Sequence, residues 1–266
     1  MPTDEKPKTG DLNGRLWGSR ARDWAEVAEP MQRCVYDAVF ERVGLSAQTN
    51  YLDVGCGSGL AAQLAAQQGA KVTGVDAAKN LLAIAQSRVP GGEFRVADLE
   101  ELPFTDKTFD LVTGFNSFQY AANPDAALAE AKRVAKYGST VVIVTWGKPE
   151  GMQAATLLGA LKGLTPPPPP GTAGPFALSD DAALRGFALK AGLQPLEVVD
   201  VDSPWHYADL KTALRGLMSS GNAVRATELS SEDAVRNAYT SALEGFRQAD
   251  GSYRIGATFR CLFTRA

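Results

Sequence analysis

Residues Tyr51–Ala62 read YLDVGCGSGLAA. A short apolar run gives way to Gly55, Gly57 and Gly59 at every second position, Asp53 stands just ahead of them, and a second apolar run follows. Glycine weakens regular structure, so its repeated use here implies a backbone that has to stay bare. In an open α/β sheet, the passage from a strand end to the next helix is where ligands bind, and glycines let the main chain reach contact distance. A dinucleotide loop wants G-x-G-x-x-G, whereas this one reads G-x-G-x-G. A carboxylate ahead of the loop would repel a pyrophosphate but suits a ligand carrying an ammonium or sulfonium group. That combination points to S-adenosylmethionine.

Outward from the loop the chain alternates. "NYLDVG", a helix near 59–68, "KVTGVD", a helix near 79–88, "EFRVAD", "FDLVTGF", a helix near 124–136 and "STVVIVTW" follow in order. Such alternation predicts a mostly parallel sheet covered by helices on both faces, and valine-rich strands with little polar alternation agree with burial on both sides. Upstream, residues 1–18 read as a flexible tail, and helical spacing begins at Ser19 with Trp24, Val27 and Ala28, then Val35, Val39, Phe40 and Val43. Pro30 suits the first turn of a second helix there. Downstream, "LTPPPPPGTAGPF" reads as a stiff surface excursion. A helix opening at Ser179, a strand "LEVVDVDS", helices within 207–247 and a last strand "YRIGATFRCLFTRA" come after it. The expected organisation is a ligand-binding core with N-terminal helices at 19–148, a helical substrate cover with a late sheet strand at 149–250, and a final core strand at 251–266.

Two further stations stand at strand ends. Asp76 closes "KVTGVD", 21 residues after Gly55, where a carboxylate accepts from ribose hydroxyls; Ala77 sits beside it. Asp98, in "VADLEELPFTDKTFDLV", is placed to take an adenine amino group, with Leu99 against the ring face. With "LDVGCGSG", "VTGVDAA", that third segment and "AEAKRVAKYGSTVVIVTW" in order, the chain resembles the class I S-adenosylmethionine-dependent methyltransferases, in particular the small-molecule group related to ubiquinone and menaquinone biosynthesis. The resemblance covers residues 20–147. It implies a Rossmann-like, seven-stranded sheet ending in an antiparallel hairpin, and a segment near the N-terminus that folds over the cofactor as a lid. "AKYGS" at 135–139 departs from the Pro-Gly-Gly turn usual in that family.

"GFNSFQY", 114–120, follows the fourth strand: Phe115 and Asn116 are expected at the methionine arm, Phe118 and Tyr120 at the substrate. In the lid, Arg20 and Trp24 are expected at the cofactor and Trp17 at the substrate. His206, the single histidine, is the candidate general base, because its unperturbed pKa suits proton transfer near neutrality. Its neighbours Trp205 and Tyr207 are candidate substrate contacts.

The bulk composition limits the alternatives. The net charge is −3, with no run of Lys or Arg, which argues against nucleic acid as a partner. The cysteines Cys34, Cys56 and Cys261 form no metal-binding spacing, so no metal is expected. The polar N-terminus carries no secretory signal pattern and no apolar run spans a bilayer, so a soluble cytoplasmic protein without membrane partners is expected. The reading is methyl transfer from S-adenosylmethionine, leaving S-adenosylhomocysteine, to a small, partly hydrophobic metabolite at oxygen or carbon. A homodimer is left open. The alternative is a non-catalytic regulator or scaffold that binds S-adenosylmethionine or S-adenosylhomocysteine.

Overall fold

The computed structural model describes residues 8–166 and 174–266. All of the proline run except Pro166 therefore lies outside the described residues, as do residues 1–7.

The core is one seven-stranded sheet in the order β3-β2-β1-β4-β5-β9-β6. Its first half is β1 (Asn50–Val54), β2 (Lys71–Asp76), β3 (Glu93–Val96), β4 (Phe109–Phe115) and β5 (Ala135–Trp146), whose pairings are all parallel. β6 (Gln194–Asp202) forms one edge, and β9 (Thr258–Arg265) runs antiparallel between it and β5. The expected Rossmann-like sheet with a closing antiparallel hairpin is what forms.

Alternate residues of the central strands feed two cores. Tyr51, Leu111, Val142 and Val144 face one side, while Leu52, Val54, Val112, Val141 and Ile143 face the other. Each such side chain contributes about 1.5–3 kcal/mol when fully buried, which is why these strands read as apolar runs. The first side is covered by α3 (Arg33–Val43) and α4 (Leu60–Gln67), the second by α6 (Pro124–Val134) and α8 (Asp181–Lys190). α5 (Lys79–Arg88) follows β2.

β1 pairs with β2 on one side and β4 on the other, so the loop after β1 lies where the strand order reverses. That reversal opens the crevice in which α/β sheets bind ligands. Over the crevice stand α7 (Ala154–Gly159), α9 (Leu210–Leu217), α10 (Gly221–Leu229), α11 (Glu232–Leu243) and a small antiparallel pair, β7 (Trp205–Tyr207) with β8 (Tyr253–Ile255).

Four expectations change. The stretch 1–18 is not a flexible tail throughout, because Gly10–Gly18 forms helix α1; its three glycines disfavour a helix, and of its apolar side chains Leu12 is exposed and only Leu16 fully buried. The helix expected from Ser19, with a second opening at Pro30, is irregular: a turn, α2 (Ala21–Asp23), leads into a wide π turn at Trp24–Ala28 and a 3-10 turn at Glu29–Gln32 that holds Pro30, and the second helix begins only at Arg33. α8, expected within the substrate cover, packs beneath the sheet through Leu184, Phe187 and Ala188. The last strand is two, since Gly256 and Ala257 separate β8, in the cover, from β9, in the sheet.

Candidate active site

The glycine loop is fastened to β2. Gly55 and Cys56 N–H groups both donate to the Val75 carbonyl, at 2.8 and 2.9 Å. Each glycine is left-handed, with φ of 78°, 54° and 82° at Gly55, Gly57 and Gly59, but for different reasons. A Cβ on Gly55 would lie 2.5 Å from Ser117 Cβ, and one on Gly59 would lie 2.7 Å from Ala85 Cβ. A Cβ on Gly57 would meet nothing nearer than 3.5 Å, and what it would meet is Glu29 Oε1 and Trp24 Nε1 across an open chamber. Gly57 therefore faces the ligand space, whereas Gly59 serves the packing of α4 on α5 and does not line the chamber, contrary to expectation.

This first chamber, about 910 Å³ including its open mouth, is bordered by Gly55, Gly57, Asp76, Ala77, Asp98, Leu99, Phe115 and Asn116, with Asp53 at its floor. Asp76 shapes it: Oδ2 accepts the Gly57 N–H at 2.9 Å and Oδ1 the Ala78 N–H at 2.8 Å. Each oxygen keeps a further lone pair for a ligand. Asp98 Oδ1 accepts the Glu100 N–H at 2.9 Å. Asp53 is buried, accepts from Thr113 Oγ1 at 3.0 Å, and is pushed up to about 7 by burial, with Glu29 and Asp76 adding to the rise.

Glu29 was not legible in the sequence as a site residue. It is only 2% exposed, accepts from Ser58 Oγ at 2.6 Å and from the Leu60 N–H at 3.3 Å, and is ion-paired with Arg88. Arg88 also donates to the carbonyls of Ser58 and Ala25, at 2.9 and 2.8 Å. The pair thus ties the π turn, the glycine loop and α5 together. An acid before a proline looks like any first-turn residue of a helix, and nothing in the sequence placed Arg88 opposite it.

α1 closes the chamber through Thr9, Gly10, Asn13 and Trp17. Thr9 Oγ1 and Asn13 Nδ2 donate to the Tyr120 carbonyl at 2.9 and 2.8 Å, and Trp17 stands edge-on to Trp24 and Tyr120, with centroids 4.9 and 5.4 Å apart. The helix presents glycines to the crevice: a Cβ on Gly10 would lie 2.7 Å from Asp98 Oδ2, and one on Gly14 would overlap the Ala77 carbonyl.

A second chamber of about 740 Å³, again including its mouth, adjoins the first across Trp17, Trp24, Gln32, Asn116 and Tyr120. Its far walls come from the cover and include Trp205, Tyr207, Leu157, Leu161, Leu217 and Tyr239. Trp205 and Tyr207 are thus lining residues. Their neighbour His206 is not: the alternation of β7 points it outward, exposed, and paired in register with Arg254, so it borders neither chamber. Phe118 is 1% exposed and fills the core beneath Gly114. Arg20 pairs with Asp23 at 3.2 Å, away from both chambers.

Residues 52–143 match the family model described as a methyltransferase domain. The chain carries a methyltransferase domain over that segment. Among its relatives, a demethylmenaquinone methyltransferase of Renibacterium salmoninarum is 32% identical over 149 residues, which cover 56% of this chain and 58% of that protein. Methyltransferase GfsG of Streptomyces halstedii is 37% identical over 126 residues, 45% of this chain and 44% of that one. The chain thus spans about half the length of the curated relatives it matches. Among solved structures, the [4+2]-cyclase SpnF aligns with a TM-score of 0.59 at 21% identity, over 96% of this chain and 92% of that one, a likeness of fold. The segment matched to the methyltransferase domain holds the glycine loop, Asp76 and Asp98. Helix α1, Glu29 and almost all of the second chamber lie outside it.

Proposed function

We propose that this methyltransferase binds S-adenosylmethionine in the first chamber and methylates a small, partly hydrophobic metabolite, at oxygen or carbon, held in the second. The observation that carries this reading is the charge of the first chamber. Its lining contains Glu29, Asp53, Asp76 and Asp98 and no Lys, Arg or His among the described residues, a surrounding that favours a cation over a phosphate. The buried Trp24 Nε1, which has no hydrogen-bond partner among the described residues, is a donor left for a ligand beside Gly57.

When bound, S-adenosylmethionine supplies an electrophilic methyl group on a sulfonium. Asp76 holds the ribose hydroxyls, Asp98 takes the adenine amino group with Leu99 on the ring face, and Gly55 and Gly57 leave the main chain open to the methionine arm. Trp17, Trp24 and α1 exclude water. Orientation of the acceptor is then the protein's chief contribution, since well-oriented reactants gain about 7–11 kcal/mol. The test is equilibrium dialysis with labelled S-adenosylmethionine: saturable binding that is lost in a folded Gly57→Val protein is expected, and unchanged binding in that variant refutes the assignment. Release of S-adenosylhomocysteine with an added acceptor tests turnover.

A further inference from the structure

Around Gly57 most of the main-chain donors are already spent. The N–H groups of Gly55 and Cys56 go to the Val75 carbonyl, that of Gly57 to Asp76, that of Gly59 to the Cys56 carbonyl and that of Leu60 to Glu29. A glycine loop that opens a helix holds anions through such groups, and here the protein itself satisfies them. The lining of the first chamber adds no Lys, Arg or His among the described residues.

What faces Gly57 instead is one acceptor and one donor. Glu29 Oε2 takes Ser58 Oγ and Arg88, which leaves Oε1 with only the long bond from the Leu60 N–H, 3.3 Å, and a further lone pair. A Cβ on Gly57 would stand 3.5 Å from this Oε1 and 3.5 Å from Trp24 Nε1, so the two atoms are no further apart than twice that distance. The indole N–H is buried and has no hydrogen-bond partner among the described residues. It is held there by the π turn that opens at Trp24, and single π turns within helices are frequent at functional sites.

Charge makes the two ends of this pair unequal. Glu29, Asp53 and Asp76 border the same space and attract an ammonium. Arg88, bonded to Glu29 through Oε2, is not among the lining residues. A ligand carboxylate meets only neutral partners, the Trp24 indole and the Gln32 amide, among like charges.

We propose that the first chamber reads its ligand by its cations, an ammonium on Glu29 Oε1 beside the sulfonium, with Trp24 Nε1 a weak hold on any carboxylate, so that its ligand class extends to sulfonium nucleosides bearing an amine and no carboxylate. The claim rests on the S-adenosylmethionine reading above for the sulfonium nucleoside itself. It makes Glu29, which lies outside the segment matched to the methyltransferase domain, the residue that sets ligand charge.

The test is calorimetry on the full chain with three sulfonium nucleosides: S-adenosylmethionine, its decarboxylated form, and a deaminated form that keeps the carboxylate. The decarboxylated form should bind within about threefold of S-adenosylmethionine or tighter, and the deaminated form about tenfold weaker or more, as the loss of a hydrogen bond between charged groups requires. Glu29→Gln should weaken both amines by about tenfold or more and spare the deaminated form. Trp24→Phe should weaken only the two carboxylates, and by less. A decarboxylated form that binds more than about threefold weaker than S-adenosylmethionine, a deaminated form that binds as tightly as S-adenosylmethionine, or a Glu29→Gln protein that loses all three ligands equally or none overturns the proposal. If Glu29→Gln does not fold, the ranking on the parent protein decides. Binding of S-adenosylmethionine with the ranking reversed overturns this inference alone, whereas no binding by any of the three overturns the cofactor reading with it.

Discussion

Replacing Arg88 by leucine strips the partner from a carboxylate that cannot reach water. The Glu29 side chain is 3% exposed and that of Arg88 20%, so solvent screens this pair weakly and the exposed-pair range of about 0–1 kcal/mol does not apply. Removing one member of a buried pair typically costs about 3–5 kcal/mol, because the remaining charge is left uncompensated. The two carbonyls of Ser58 and Ala25 lose their donor as well. Arg88→Leu should therefore lower unfolding free energy by about 3–5 kcal/mol at pH 8, read by urea denaturation. The loss should shrink in acid. Burial already raises the folded-state Glu29 pKa above its ordinary value despite Arg88, and without Arg88 it rises further. The folded variant then binds more protons than the unfolded chain between the two pKa values, so its stability falls as pH rises through that window. Glu29→Gln combined with Arg88→Leu should recover part of the loss, since no charge remains buried. A pH-independent loss below about 1 kcal/mol would refute the strut and reduce the pair to a surface contact.

Other outcomes follow from the same geometry. Gly59→Ala should cost about 1–3 kcal/mol of stability, because its Cβ falls 2.7 Å from Ala85 at φ 82°, while Gly57→Ala, with open space before it, should cost less stability and more cofactor affinity; melting and dialysis on both variants check the exchange. S-adenosylmethionine affinity should rise with pH through about 7 as Asp53 ionises, with proton release on binding below that pH; Asp53→Asn should flatten the profile, and calorimetry in buffers of differing ionisation enthalpy reads it. His206→Ala should leave cofactor affinity unchanged, since the side chain points away from both chambers.

How far the sequence reached depends on whether a role is local. The alternation of strands and helices, the loop after β1, and the carboxylates at the ends of β2 and β3 follow from period and spacing, which a single chain displays; the seven-stranded sheet with its antiparallel end was implied by the family resemblance. Gly59 and Gly57 look alike in sequence, yet their roles part because α5 crosses behind one of them only. His206 was singled out for its chemistry, but the two-residue period of β7 sends it outward between two inward aromatics. Phe118 was misjudged because a core aromatic and a pocket aromatic have the same composition. Glu29 and Arg88 meet across 59 positions, a tertiary fact that no local pattern carries.

Helix α1 offers a last consequence. It has nine residues, fewer than the roughly 12–15 at which an isolated helix becomes marginally stable in water, and Gly14 at its centre costs about 1 kcal/mol relative to alanine. Alone, this segment would not hold its shape. Its helicity is borrowed from the crevice, where the absent Cβ of Gly14 lets it settle against the Ala77 carbonyl and where Asn13 finds the Tyr120 carbonyl. Coil–helix conversion and closure of the first chamber are therefore one equilibrium, and the amide hydrogens of residues 14–18 serve as its clock: they exchange with deuterium whenever the chamber opens, and should slow when S-adenosylmethionine holds it shut.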